Sequence, residues 1–335
     1  MASAMAQPQQ EEYRLGRNLA LEATRVTEAA ALSCSHWIGR GDEKAADQAA
    51  VNAMRQALNG LDIEGTVVIG EGERDKAPML YIGEKVGTGN GPAVDIALDP
   101  LEGTTICATA GPNALAVVAF AEAGNFLHAP DVYMNKIAVG GGLPGGVIDL
   151  DDGPAKNLKN LAKAKKCDVS DLTVVILQRD RHAEMIAKSR EAGARIQLIQ
   201  DGDVAGIIAA TRPETGVDLY MGIGGAPEGV LAAAALRCCG GQMQGRLIFG
   251  DDQGQIERAK RMGITDLNRK YTMEEMARGD VMFAATGVTS GWMLEGVRRF
   301  GDNRVTTHSL VMRSRTGTSR FIKAEHNFSR KQEIR

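Results

Sequence analysis

Apolar residues recur at helical spacing over 21–37, until Gly39 and Gly41 break the pattern, and again over 45–58, where Asn59-Gly60 supplies a stop. Short β-branched or apolar runs follow at 66–69, 93–99 and 114–121. The second half repeats the scheme. Strand-like runs at 172–177, 195–199 and 217–221 alternate with helix-like stretches at 204–210 and 230–239. A strand is expected at 281–285, and a hairpin pairs 309–312 with 320–323 around Thr316-Gly317-Thr318. Strands alternating with helices predict an α/β architecture. The polar segment 151–166 is where a junction between lobes is expected, giving a disordered tail at 1–13, a first lobe at 14–165 and a second at 166–335. Nearly every charged cluster falls just after a strand, at the sheet ends where α/β proteins place ligands.

Composition narrows the classes. The 335 residues suffice for one catalytic unit with sizeable cores, and 44% apolar with only 4% aromatic residues predicts a core of Ala, Val, Ile and Leu. A net charge of −3 gives no general attraction to nucleic acid, so an anionic ligand would need local Lys and Arg or bound metal. Five cysteines without a C-x-x-C pair predict reduced thiols in a cytoplasmic protein. The vicinal Cys238–Cys239 reads as buried small residues or as a redox element. No apolar run approaches the roughly 18 residues of a spanning helix, so no membrane partner is expected.

The chemistry concentrates in carboxylates. The strand at 93–99 delivers Asp99 into Asp99-Pro100-Leu101-Glu102-Gly103-Thr104. Pro100 is expected to stop pairing, Gly103 lets backbone approach a ligand, and Thr104 offers a hydroxyl and an N–H at a helix or turn start. Two carboxylates this close repel unless a cation separates them, and an oxygen-only set favours Mg²⁺ or Mn²⁺. The same residues also read as an acidic surface turn. Glu71, Glu73 and Asp75 follow the strand at 66–69 with a two-residue period, which puts them on one side of an extended segment or in a surface charge run. Asp47 lies near a helix start and Glu228 where a Gly-rich loop meets a helix, and both positions also suit simple helix stabilisation. The five histidines show no ligand spacing, and only His182 is kept as a candidate.

The D-P-L-E-G-T stretch resembles the D-P-[LI]-[DE]-G-[TS] signature of the lithium-sensitive, metal-dependent phosphatases. Further blocks narrow the likeness: Gly39-Arg40-Gly41-Asp42 with Ala46-Asp47, VIGEGERDKAPMLYIGEKVGTG from Val68, ALDPLEGT from Ala97, APDVYMNK from Ala129, DGDVA from Asp201 and GIGGAPEGV from Gly222. In order and spacing they resemble the class II (GlpX-type) fructose-1,6-bisphosphatases. The resemblance implies an α-β-α-β-α sandwich with the site between two lobes, and a homotetramer or homodimer. It implies that Asp47 and Glu71 bind one metal, while Asp99, Glu102 and Glu228 bind or bridge to a second. Glu73 and Asp75 match catalytic positions, and Glu102, Gly103 and Thr104 would contact the scissile phosphate. Tyr133, Arg179, Arg181, Asp201, Gly202, Asp203 and Gly225 match substrate-binding positions. Gln178-Arg179-Asp180-Arg181-His182 departs from the Lys-Pro-Arg-His of some members. The implied reaction is attack on the 1-phosphate of fructose 1,6-bisphosphate by water that Glu73 or Asp75 orients with Thr104, with Arg179 and Arg181 on the distal phosphate.

Rival readings are a dinucleotide-binding oxidoreductase, through Gly140, Gly142 and Gly145, and a non-catalytic phosphosugar sensor. Among phosphatases, sedoheptulose 1,7-bisphosphate and inositol phosphates are alternative substrates.

Overall fold

The computed structural model describes residues 15, 16, 18–72 and 79–330. Helix α1 (Leu19–Cys34) ends in a 3-10 turn, Ser35–Trp37, so the first expected helix is shorter than its apolar pattern. Asp42 starts α2 (Glu43–Asn59) by accepting the Ala45 N–H at 3.0 Å. There follow β1 (Glu64–Ile69), β2 (Lys85–Val86), β3 (Ala93–Glu102), α3 (Thr104–Thr109) and β4 (Leu115–Glu122). The middle of the chain forms β5 (Tyr133–Val139), α4 (Pro154–Lys165), β6 (Thr173–Leu177), α5 (Ala183–Glu191), β7 (Arg195–Ile199), α6 (Asp203–Ala209), β8 (Leu219–Gly225), α7 (Ala226–Cys239), β9 (Gln242–Ile248), α8 (Gln253–Arg261), β10 (Lys270–Thr272) and α9 (Met273–Met276). The last strands are β11 (Val281–Gly287), β12 (Arg298–Arg299), β13 (Arg304–Arg313) and β14 (Thr318–Asn327). β13 and β14 form the expected hairpin, extended to ten residues on each side.

These strands make two mixed sheets. One runs β12-β13-β11-β4-β3-β1-β2 with β14 beyond β13, and the other runs β10-β9-β5-β8-β6-β7. Alternation along β4 shows how layers form. Leu115, Val117, Ala119 and Ala121 face the core between the sheets, while Ala116, Val118 and Phe120 face α1 and α2. α6 and α7 fill the space between the sheets, and α7 is buried on nearly all sides, as its Ala-rich run requires. A third cluster packs α4 and its neighbours on the outer face of the second sheet. The result is the expected α-β-α-β-α stack.

Lys166, the first residue of the expected second lobe, is the left-handed C-cap of α4. The second sheet takes β5 from before that point and β6 to β10 from after it, and β11 returns to the first sheet. The segment 151–166, read as a junction, is thus mostly the helix α4.

Two local expectations are corrected at strand ends. Pro100 does not stop β3; the strand continues to Glu102 across an irregularity in its pairing with β4 between Asp99 and Glu102. A bulge accommodates the missing N–H of proline inside a sheet. The run Gly222–Gly225, read as a loop, pairs with β5 up to Gly225↔Tyr133. Its neighbours supply the ladder that glycine's own propensity does not favour.

Candidate active site

The site lies where the inner helices meet the ends of β1, β3 and β8. Asp99 Oδ1 accepts the Leu101 N–H at 3.0 Å, which holds the Pro100 bulge in a tight turn. The turn brings Glu102 round to a position only 3% exposed. Gly103 then adopts φ 86°, a conformation open to glycine, and α3 starts at Thr104. Across the gap Gly202 repeats the device at φ 85° before α6. Glu228 lies in the first turn of α7 and folds back over Gly225, where an added Cβ would meet its Oε2 at 1.8 Å. A side chain there would displace the Glu228 carboxylate.

All five expected cation ligands, Asp47, Glu71, Asp99, Glu102 and Glu228, line one cavity of about 300 Å³. Gly103, Thr104, Asp201 and Asp203 share its walls. Gly202 sits beside Glu102, its Cβ direction 3.8 Å from Oε2. Tyr133 and Gly225 line an adjoining cavity of about 630 Å³, which shares Asp131 and Glu228 with the first. Tyr133 is 52% exposed and so is not a core residue. Arg181 stacks on its ring with the guanidinium carbon 4.8 Å from the centroid, while Nε and Nη2 both donate to the Ile223 carbonyl at 3.0 and 2.7 Å. Arg179 donates to the Gln178 carbonyl at 3.1 Å. Glu73 and Asp75 lie outside the described residues.

The carboxylates are crowded and short of counter-charge. Burial, then the charges of Asp47 and Glu228, pushes Glu71 up to about 8. Burial, then Asp203, raises Glu228 to about 7 against an opposing pull from Lys136. Burial, then neighbouring carboxylates, holds Asp99 and Glu102 well above the usual range, and burial raises Asp47. Glu102 Oε2 and Glu228 Oε2 are buried without a hydrogen-bond partner. Oxygen-only donors, orphaned buried oxygens and mutual repulsion fit a hard divalent cation. As the side chains stand, no group of three among the described residues is drawn together tightly enough to hold an ion.

His182 is structural. Its Nε2 accepts the Ile223 N–H at 2.8 Å, so Nδ1 carries the proton and donates to the Leu177 carbonyl at 2.7 Å. Residues 140–145 lie in the loop after β5 and open no helix, which removes the geometry a dinucleotide fingerprint needs. Cys238 is buried and Cys239 partly so, and both thiols are free. No helix among the described residues is long and apolar enough to cross a membrane.

Residues 17–326 match the family described as bacterial fructose-1,6-bisphosphatase, glpX-encoded. The chain is 50% identical over 327 residues to fructose-1,6-bisphosphatase 1 class 2 of Escherichia coli (strain K12), covering 94% of this chain and 97% of that one. The fructose-1,6-bisphosphatase class 2 of Shigella flexneri matches to the same extent. The chain belongs to this family.

Two polar residues near the cavities carry no signal of their own in the sequence. Asp131 stands between the two cavities, and Lys136 is buried beneath them. Both lie in the block Ala129 to Lys136 that carries Tyr133, so their position in a motif was the available signal.

Proposed function

We propose that the chain hydrolyses fructose 1,6-bisphosphate to fructose 6-phosphate and phosphate, as the names of its relatives state for them. The observation that carries this reading is the meeting of five carboxylates from distant parts of the chain in one cavity beside Gly103 and Thr104. Divalent metal, Mg²⁺ or Mn²⁺, held by Asp47, Glu71, Asp99, Glu102 and Glu228, supplies charge neutralisation and an activated water when bound. Thr104, on the cavity wall, binds the 1-phosphate together with Gly103. Glu73 or Asp75, with the Thr104 hydroxyl, orients the attacking water. Asp201, Gly202 and Asp203 bind the sugar from the opposite wall. Tyr133 and Gly225 contact the substrate from the wall of the second cavity, and Arg179 with the remaining donors of Arg181 holds the 6-phosphate. The protein acts in gluconeogenesis, in the cytoplasm, as a homodimer or homotetramer.

Sedoheptulose 1,7-bisphosphate, one carbon longer, is the alternative substrate. Phosphate release is to be measured from fructose 1,6-bisphosphate, sedoheptulose 1,7-bisphosphate, inositol phosphate and a nucleotide, with Mg²⁺ or Mn²⁺ and again with EDTA. Metal-dependent release from the first is expected. Release that EDTA leaves intact, or none from either bisphosphate, rejects the reading.

A further inference from the structure

A lysine on an interior strand of a sheet is costly unless its charge is used. Lys136 on β5 is 1% exposed. Its register neighbours are Gly222 on β8 and Gly245 on β9. A side chain at Gly224 would come within 3.0 Å of its Nζ, and one at Gly229 within 3.3 Å of its Cδ. The surrounding glycines leave a channel through which the ammonium reaches the site end of the sheet. There Nζ donates to Asp203 Oδ2 and, at 2.8 Å, to the Gly225 carbonyl. The Tyr220 hydroxyl donates to the same Asp203 oxygen at 3.3 Å.

Stability does not explain this arrangement. A buried ion pair is often replaceable by apolar residues without loss, because desolvation offsets its attraction. What the pair does is geometric and local. Asp203 opens α6 and Gly225 closes β8, so one ammonium ties two separate segments of the substrate wall together. Because Asp203 lines the carboxylate cavity, the ammonium bonded to it also stands at the edge of that cavity.

We infer that Lys136 is a positioning residue, which holds Asp203 and the Gly225 carbonyl in register for the sugar bisphosphate and weakens cation binding at the adjacent carboxylates. The inference rests on the proposed phosphatase reading. Removing the ammonium alone leaves Asp203 as an extra uncompensated carboxylate. Substrate, an anion, then binds less well, while a divalent cation binds better. A merely structural lysine would weaken both together.

The test measures KM for fructose 1,6-bisphosphate by phosphate release, and Mn²⁺ affinity by calorimetry without substrate. Lys136→Met is expected to raise KM about tenfold or more, the size expected for lost charge-assisted hydrogen bonds, and to tighten Mn²⁺ binding. The double variant Lys136→Met/Asp203→Asn keeps the net charge of the pair, so Mn²⁺ affinity returns to the wild-type value while KM stays raised. If Lys136→Met does not fold, Asp203→Asn alone is the reference, and the double variant must raise KM beyond that single change. An unchanged KM in the double variant overturns the inference. So does a parallel loss of substrate and Mn²⁺ affinity in Lys136→Met. Absence of phosphate release from the wild-type chain rejects the proposed reaction instead.

Discussion

Glu102 Oε1 accepts a hydrogen bond from the Val204 N–H at 2.7 Å, joining residues 102 positions apart in the chain. One carboxylate therefore serves both sides of the cleft. One oxygen caps α6 beside the substrate loop, and the other is left for a cation.

The two duties separate by substitution. Glu102→Gln keeps a carbonyl oxygen for Val204 but loses the charge. Phosphate release is expected to fall about a hundredfold or more, the scale seen when one preorganised electrostatic group is lost, while the melting temperature of the metal-free protein does not fall. Glu102→Ala also strands the buried Val204 N–H, so urea unfolding is expected to register a further loss of about 1–3 kcal/mol.

Asp99→Asn and Glu228→Gln remove charge from the centre of the cavity with little change in shape. Both are expected to abolish turnover at saturating Mg²⁺ or Mn²⁺ while circular dichroism stays native. Full activity in both variants would place the chemistry elsewhere.

The raised carboxylates make stability depend on pH in a definite direction. Below the ordinary value of 4.5 Glu71 is protonated in both folded and unfolded chains. Between that value and about 8 the folded chain retains a proton that the unfolded chain has released. The contribution of Glu71 to the stability of the metal-free protein is therefore greatest below the lower value and is lost as pH rises through the upper one. Glu228, raised to about 7, adds to the same fall. Urea midpoints across this window should decline without metal, and excess Mg²⁺ should reduce the decline because binding favours the ionised forms. Glu71→Gln is the control that should flatten the metal-free slope.

His182 offers the opposite case, a buried titratable group with no chemistry to perform. Burial lowers its pKa below the usual 6.5, and a proton on Nε2 would oppose the Ile223 N–H. Its neutral form stabilises the fold, and that contribution falls away as pH drops below the ordinary value. His182→Ala is expected to cost about 1–3 kcal/mol on unfolding and to leave the pH–rate profile unchanged in shape.

Much of this was legible in the residues because periodicity reports burial directly. The α2 stop at Asn59-Gly60, the apolar run of β4 and the final hairpin all follow from the local pattern. The five carboxylates were legible through motif and family resemblance. What escaped depends on neighbours rather than on local sequence. Pro100 and the run Gly222–Gly225 look like breaks, yet adjacent strands keep both segments paired. Lys136 looks like an exposed charge until the glycines opposite it are known. Sheet membership likewise follows from pairing partners, which no local pattern reveals.

The path of the chain through its two sheets has a consequence for biosynthesis. β11 and the hairpin of β13 and β14 complete the sheet begun by β1. A nascent chain that has just made α7 already contains every proposed cation ligand, but half of the platform beneath them is still unsynthesised. Assembly must wait until the stretch ending at Asn327 has left the ribosome. A truncation that spares all the acidic residues should therefore be as damaging as one that removes them.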